Sequence, residues 1–190
     1  MEPDVRVRLV WPAPGYLSGY IDALRRGWSP DNLRPEAANE ELQAIARNSS
    51  TFLAGLVDKE AAGPPIKLPD GSLVPRLPGY RRWIWDGEFC GSIGLRWCPG
   101  TSALPAYCLG HIGYSVVPWK QRRGYATAAL RELLAEARAI GLAYVDITTD
   151  PTNVPSQRVV LANGGVLVDS FRKPEQYGAL DGLRFRIDLA

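Results

Sequence analysis

Histidine occurs once in this chain and cysteine three times. That donor set is too small for a metal centre of imidazole and thiolate, and Cys90, Cys98 and Cys108 lack metal-ligand spacing. All three cysteines fall in segments patterned as strands, so buried thiols in a reducing compartment are expected. No apolar run approaches the ~20 residues of a membrane span. Met1-Glu2-Pro3-Asp4 has neither the basic nor the apolar region of a secretion signal. These absences predict a cytoplasmic protein without a metal and without a membrane partner. Charge of one sign is also lacking: 22 Lys and Arg face 20 Asp and Glu, a net +2. Bulk charge therefore gives no argument for a nucleic-acid partner.

What the chain does contain is apolar mass. Of its 190 residues 46% are hydrophobic, enough for one good core and short for two. No repeat, low-complexity tract or linker divides it, so a single domain over residues 1–190 is expected. Val5 to Val10 alternates as a half-buried strand. Tyr16 to Arg26 reads as a helix closed by Gly27, and Pro35 opens a second that runs to Arg47. Ser49 or Ser50 is placed to cap a short helix through Asp58. Residues 60–79 are dense in Pro and Gly and read as a long loop. Tyr80 to Asp86 and Glu88 to Cys98 form a hairpin about Asp86-Gly87. A strand from Cys108 to Val117 follows, then a helix from Arg123 to Ile140. The apolar stripe of that helix is Ala126, Leu130, Leu133, Leu134 and Ala137. Leu142 to Thr149 is a strand and Val154 to Asn163 a short helix; Val166 to Phe171 and Leu183 to Leu189 are the last strands. The crossover between residues 108 and 149 calls for a parallel strand pair.

The most informative stretch is Gln121-Arg122-Arg123-Gly124-Tyr125-Ala126-Thr127, between strand and helix. Such a turn presents free backbone N–H groups at the positive end of a helix dipole, which suits a phosphate-rich ligand. Gly124 permits close backbone approach, Ala126 is small, and Thr127 adds a hydroxyl. Lys120, Arg122 and Arg123 add positive charge. Neither G-x-x-x-x-G-K-[ST] nor G-x-G-x-x-G occurs, so this is neither a kinase-type phosphate loop nor a dinucleotide fingerprint.

Gln121, Gly124 and Ala126 occupy the fixed positions of Q/R-x-x-G-x-G/A, so the segment resembles the acetyl-CoA signature of the GNAT N-acetyltransferases. Asn153, Ser156 and Asn163-Gly164-Gly165 follow at the family's spacing. From His111 to Gly165 the chain also looks like a group of predicted bacterial acetyltransferases. The resemblance is strong over residues 80–170. It implies an α/β (α+β) fold: a mixed, mostly antiparallel central sheet of about seven strands, helices on both faces, and a splayed parallel strand pair that binds acyl-CoA. It implies acetyl-CoA as cosubstrate, with Val116 and Val117 pairing with the pantetheine arm. The N–H groups from Arg122 to Thr127 would hold the pyrophosphate, and Asn153 and Ser156 would touch the pantetheine and sulfur region.

Acetyl transfer to an amine needs a base for the ammonium proton and tolerates an acid for the thiolate. Relatives often carry a carboxylate or His where this chain has Gly110 and Ile112. Tyr114 shares their face, whereas His111 points to the other; these two are the candidate bases. The Tyr acid of many relatives is replaced by Val160, leaving Tyr177 or water for that role. The acceptor pocket is expected to draw on Trp28, Tyr80, Trp83, Trp85, Trp97, Trp119 and Tyr177, with Glu88, Asp86 or Asp181 as ammonium ligands. The acceptor is a small-molecule or peptide amine, and a homodimer is the other candidate assembly. Alternatives are a transferase of the same fold using another acyl-CoA and a non-catalytic CoA-binding sensor or interaction domain. The basic turn as a nucleic-acid site has only a small cluster behind it.

Overall fold

In the computed structural model, which describes residues 7–189, the chain enters β1 (Arg8–Val10). Met1 to Arg6, including the expected strand start at Val5, lie outside the described residues. A 3-10 turn leads into α1 (Leu17–Arg25), which buries Tyr20, Ala23 and Leu24 at i, i+3 and i+4. Gly27, at φ +87°, turns the chain out of it. The second helix, α2 (Ala37–Arg47), ends at Asn48, whose side chain then caps α3 (Ser49–Gly55) by accepting the Thr51 N–H at 2.9 Å. Asn48 thus takes the capping role expected of Ser49 or Ser50, and α3 stops before β2 (Val57–Asp58). The 60–79 segment folds a small hairpin of β3 (Ile66–Lys67) and β4 (Leu73–Val74).

The expected central hairpin is present as β5 (Gly79–Trp85) and β6 (Phe89–Arg96). Next come β7 (Ile112–Val116), α4 (Tyr125–Ala139), β8 (Tyr144–Thr149) and α5 (Val154–Leu161), then β9 (Val166–Arg172) and β10 (Asp181–Asp188). One sheet has the order β1-β5-β6-β7, with β2 also on β5, and a second has β8-β10-β9. All their ladders are antiparallel, and these two orders contain seven strands.

Side-chain alternation along β5 separates two cores. Ile84 faces Leu130, Leu133, Val145 and Phe185 under α4. Trp83 faces Tyr20, Trp28 and Phe89 under α1 and α2. Each fully buried Leu or Ile contributes about 2 kcal/mol. The buried stripe of α4 is Tyr125, Ala129, Leu130, Leu133 and Ala137. It is rotated from the expected one because Tyr125 is drawn inward by a polar partner described below. Arg82 ties β1 to α4, donating to Leu9 O and to Glu136, both at 2.7 Å.

One expectation fails at the junction of the sheets, and the expected splay of β7 from β8 is seen there. The strand begins at Ile112, not Cys108, so Cys98 and Cys108 are half-buried outside strands while Cys90 alone is buried in one. No parallel ladder joins β7 to β8 among the described residues. They meet at His111, whose N–H donates to Asp146 O at 2.8 Å, and at Leu109, whose carbonyl accepts from Thr148 Oγ1 at 2.6 Å. A Cβ on Gly110 would sit 3.1 Å from Asp146 O. Glycine therefore admits the close crossing, and beyond it the sheets part.

Candidate active site

The turn after β7 leaves a run of backbone N–H groups free. Arg122 and Gly124 both have left-handed backbones, at φ 59° and 81°. For arginine that conformation costs ~1 kcal/mol or more, so the surrounding structure imposes it. The first helical bond runs from Ala128 N–H to Gly124 O at 3.0 Å, and no side chain caps the helix. The N–H groups from Arg122 to Thr127 consequently have no acceptor among the described residues. They stand at the positive end of a fifteen-residue helix, an arrangement that favours an anion.

Not every charged residue expected at this turn faces a ligand. Lys120 is buried and donates to both Asp86 carboxylate oxygens at 2.8 Å, with Glu88 at 3.2 Å. The Tyr125 hydroxyl donates to Asp86 at 2.6 Å. Burial pushes the Asp86 carboxyl up, but the bonds from Lys120 and Tyr125 outweigh it and hold Asp86 well below the usual carboxylate range. Asp86 and Glu88 are thus clamps beneath the turn rather than ammonium ligands. Asp181 pairs loosely with Arg172 on the surface. Arg122 and Arg123 remain exposed.

The gap beyond the crossing is lined by one edge of β7. Val117 N–H donates to Cys90 O at 3.0 Å, and Arg96 N–H donates to His111 O at 2.9 Å. Alternation then turns the backbone of Ile112, Tyr114 and Val116 toward the gap. The Val116 carbonyl accepts from Gln121 Nε2 at 3.1 Å and the Tyr114 carbonyl from Asn32 Nδ2 at 2.9 Å. Of the two expected pantetheine partners, Val116 has an N–H turned to the gap, whereas Val117 is buried with its N–H spent.

Tyr114 bridges the gap: its hydroxyl lies 2.8 Å from Ser156 Oγ in the first turn of α5. Asn153 caps that helix, its Oδ1 accepting from Ser156 N–H at 3.2 Å. Burial pushes the Tyr114 hydroxyl up to about 12. The protonated form is thereby favoured at neutral pH, and the hydroxyl also donates to Ser156 O at 3.2 Å.

His111 is not brought to this place. It is fully buried, its Nδ1 accepts the Asp146 N–H at 2.9 Å, and burial lowers its pKa. It pins the crossing as a neutral ring. Val160 is also fully buried, and a Cβ on Gly165 would sit 2.4 Å from its Cγ1, so that position belongs to the core.

Below the gap lies a cleft of about 510 Å³ whose lining includes Tyr114, Ser156 and Tyr177. Its aromatic rings are tyrosines: Tyr80, Tyr107, Tyr114 and Tyr177. Trp28 and Trp83 are core, Trp85 packs on Tyr16, Trp97 on Tyr80, and Trp119 lies under Arg26. The Tyr177 hydroxyl donates to Tyr107 O at 2.7 Å, and burial raises its pKa. Buried Lys173 pairs with Asp150 at the end of β8, and Thr149 buries a hydroxyl with no partner beside them. The sequence carried no sign of these groups, because their partners lie 23 or more residues away with no connecting period.

Residues 72–166 match the family described as the acetyltransferase (GNAT) domain, and the chain belongs to that family of N-acetyltransferases. Solved structures share the fold at low identity. The microcin C7 self-immunity acetyltransferase MccE, solved with acetyl-CoA and AMP, aligns at TM-score 0.65 and 14% identity over 96% of this chain and 92% of that one. RimJ of Mycobacterium smegmatis aligns at TM-score 0.61 and 19% identity over 96% and 80%. RimL, a ribosomal L7/L12 acetyltransferase solved with coenzyme A, aligns at TM-score 0.61 and 14% identity over 96% and 93%. No curated protein sequence matches the chain significantly. No helix among the described residues is long and apolar enough to cross a membrane.

Proposed function

We propose that the protein is an acetyl-CoA-dependent N-acetyltransferase, a single acyltransferase domain over residues 1–190. It moves the acetyl group to a primary amine by direct transfer in a ternary complex. The observation that carries this reading is the run of unpartnered N–H groups from Arg122 to Thr127 at the mouth of the β7–β8 gap. The residues present fit the cosubstrate: that cradle takes the pyrophosphate, the Val116 backbone takes the pantetheine arm, and Asn153 and Ser156 flank its far side. Acetyl-CoA supplies the activated acyl group and a thiolate leaving group.

The remaining work falls to this chain. Val116 N–H, turned to the gap, stabilises charge developing on the carbonyl oxygen. The amine enters from the cleft, its nitrogen lone pair forms the new C–N bond, and the C–S bond breaks. The Ser156 and Tyr114 hydroxyls, 2.8 Å apart, would place a hydrogen-bonding pair beside the leaving sulfur, whose proton would come from water in the open cleft. The carboxylates lining the cleft are engaged. Asp58 accepts from the amides of Ala62 and Gly63, Asp31 from Leu33 N–H, and Asp150 pairs with Lys173. The ammonium proton therefore leaves through water in the open cleft. Tyr177 forms part of the wall. A ping-pong route has no support in the cleft thiol, since Cys108 Sγ donates to Gly110 O at 3.5 Å and is bonded to no base among the described residues.

The test is calorimetric titration of acetyl-CoA into the wild-type protein and Gly124→Glu, followed by thiol-release assays with primary amines. Micromolar binding that the variant abolishes is expected. A folded wild-type protein that fails to bind acetyl-CoA would refute the reading.

A further inference from the structure

Five cationic side chains line the cleft: Lys67, Arg76, Arg81, Arg96 and Lys173. Four have carboxylate partners, at 3.8 Å for Lys67 with Glu40, 3.5 Å for Arg76 with Asp58 and 2.9 Å for Arg81 with Glu41, and in the close Lys173–Asp150 pair. Arg96 has neither an ion pair nor a side-chain hydrogen bond among the described residues. Its guanidinium lies against Gly113, with Nη2 3.2 Å from where a Cβ would stand. The bare strand at Gly113 therefore makes room for a flat cation on the face of β7 opposite the Tyr114 side chain, and both line the cleft. Arg96 also acts electrostatically on the Tyr177 hydroxyl, which keeps accepting capacity after donating to Tyr107. The unpartnered Thr149 hydroxyl, 4% exposed, lines the same cleft.

We infer that the acceptor is a small amine that also carries an anionic group, a carboxylate or phosphate, a few bonds from the reacting nitrogen. Arg96 binds that group by a forked, charge-assisted contact, and the Thr149 and Tyr177 hydroxyls meet the acceptor's polar atoms. This rests on the acetyltransferase reading, because it takes Tyr114 and Ser156 as the reacting end of the cleft. Arg96 is exposed at the cleft, so an acceptor without the anion leaves its guanidinium to water, forgoes the forked contact, and loses affinity rather than chemical rate.

The test uses the full chain with saturating CoA for binding and acetyl-CoA for turnover. The probes are matched pairs: phenylalanine with phenethylamine, glycylglycine with its amide, and phosphoethanolamine with ethanolamine. Anionic members of at least one pair are expected to bind and react with a KM ~10- to 100-fold below their neutral partners, the size of one bidentate contact. Which pair shows the gap separates carboxylate from phosphate. Arg96→Gln should erase the gap in KM, leave kcat within about threefold and leave acetyl-CoA affinity unchanged. The inference is overturned if neutral members bind or react as well as anionic ones, if Arg96→Gln preserves the gap, or if no member binds to protein that holds acetyl-CoA. Failure to bind acetyl-CoA is read separately and counts against the acetyltransferase reading itself.

Discussion

Gly91 controls how closely β6 approaches the strand that lines the cofactor gap, and Gly91→Ala tests that spacing. Gly91 sits at φ +150°, and a Cβ there would lie 2.2 Å from Ser115 O and 2.8 Å from Val116 Cα. An ordinary carbon–oxygen contact is ~3.3 Å, so β7 must retreat by ~1 Å at Ser115 and Val116. Overpacking of this kind costs ~1–3 kcal/mol, and the backbone conformation adds ~1 kcal/mol. A total of ~3 kcal/mol in a chain of this length lowers Tm by about 6–12 °C. The displaced residues include the Val116 N–H, so acetyl-CoA affinity should fall at least ~10-fold and kcat/KM by ~100-fold. Gly94→Ala on the same strand is the control, since a Cβ there meets only Tyr80 O at 3.3 Å. Its Tm should stay within about 2 °C of wild type. Differential scanning calorimetry and acetyl-CoA titration on both variants decide the matter. A Gly91→Ala protein with wild-type Tm and affinity would refute the argument that this glycine places the cofactor strand.

Asp86→Asn removes the charge that Lys120 is buried against and should cost ~2–3 kcal/mol, less than a wholly enclosed pair because the carboxylate is 20% exposed. The folded Asp86 pKa is depressed, so its contribution is present above pH ~4 and is lost as pH falls through the folded value. Tm measured from pH 6 to 2 should therefore fall less steeply in the variant, and parallel curves would show that the clamp carries no such energy. His111 is likewise lowered by burial, so folding favours its neutral form. Its contribution is intact above the ordinary imidazole value of about 6.5 and is lost as pH falls through and below it. His111→Gln should flatten that part of the stability profile and leave kcat within tenfold, whereas a drop of ~10²-fold or more would restore the histidine as a base.

Short-range chemistry was legible in the sequence. The hairpin at Asp86-Gly87, the ends of α1 and α4 at Gly27 and Gly141, and the cradle at Gly124 rest on neighbouring residues whose dihedrals and periodicity can be read in order. Errors of one or two residues followed local competition, as where Asn48 took the cap from the adjacent serines. The candidate site divided along the same line. Gln121 to Thr127 sit at the start of α4 and Asn153 and Ser156 at the start of α5, because each is placed by the turn or helix end that its own segment encodes.

Residue order was therefore enough for the element sequence, the Gly124 turn and the family. Tertiary structure alone decided which side chains are free to do chemistry. His111 is spent on the Asp146 amide, Lys120 and Asp86 on each other, and Val117 N–H on Cys90. Tyr114 became a half-buried hydroxyl bonded to Ser156, and exposed Arg96 was left without an ion pair among the described residues. Each outcome depends on burial and on a partner distant in sequence. A one-dimensional pattern reports which face of a strand a residue occupies, but not what the opposing segment places there.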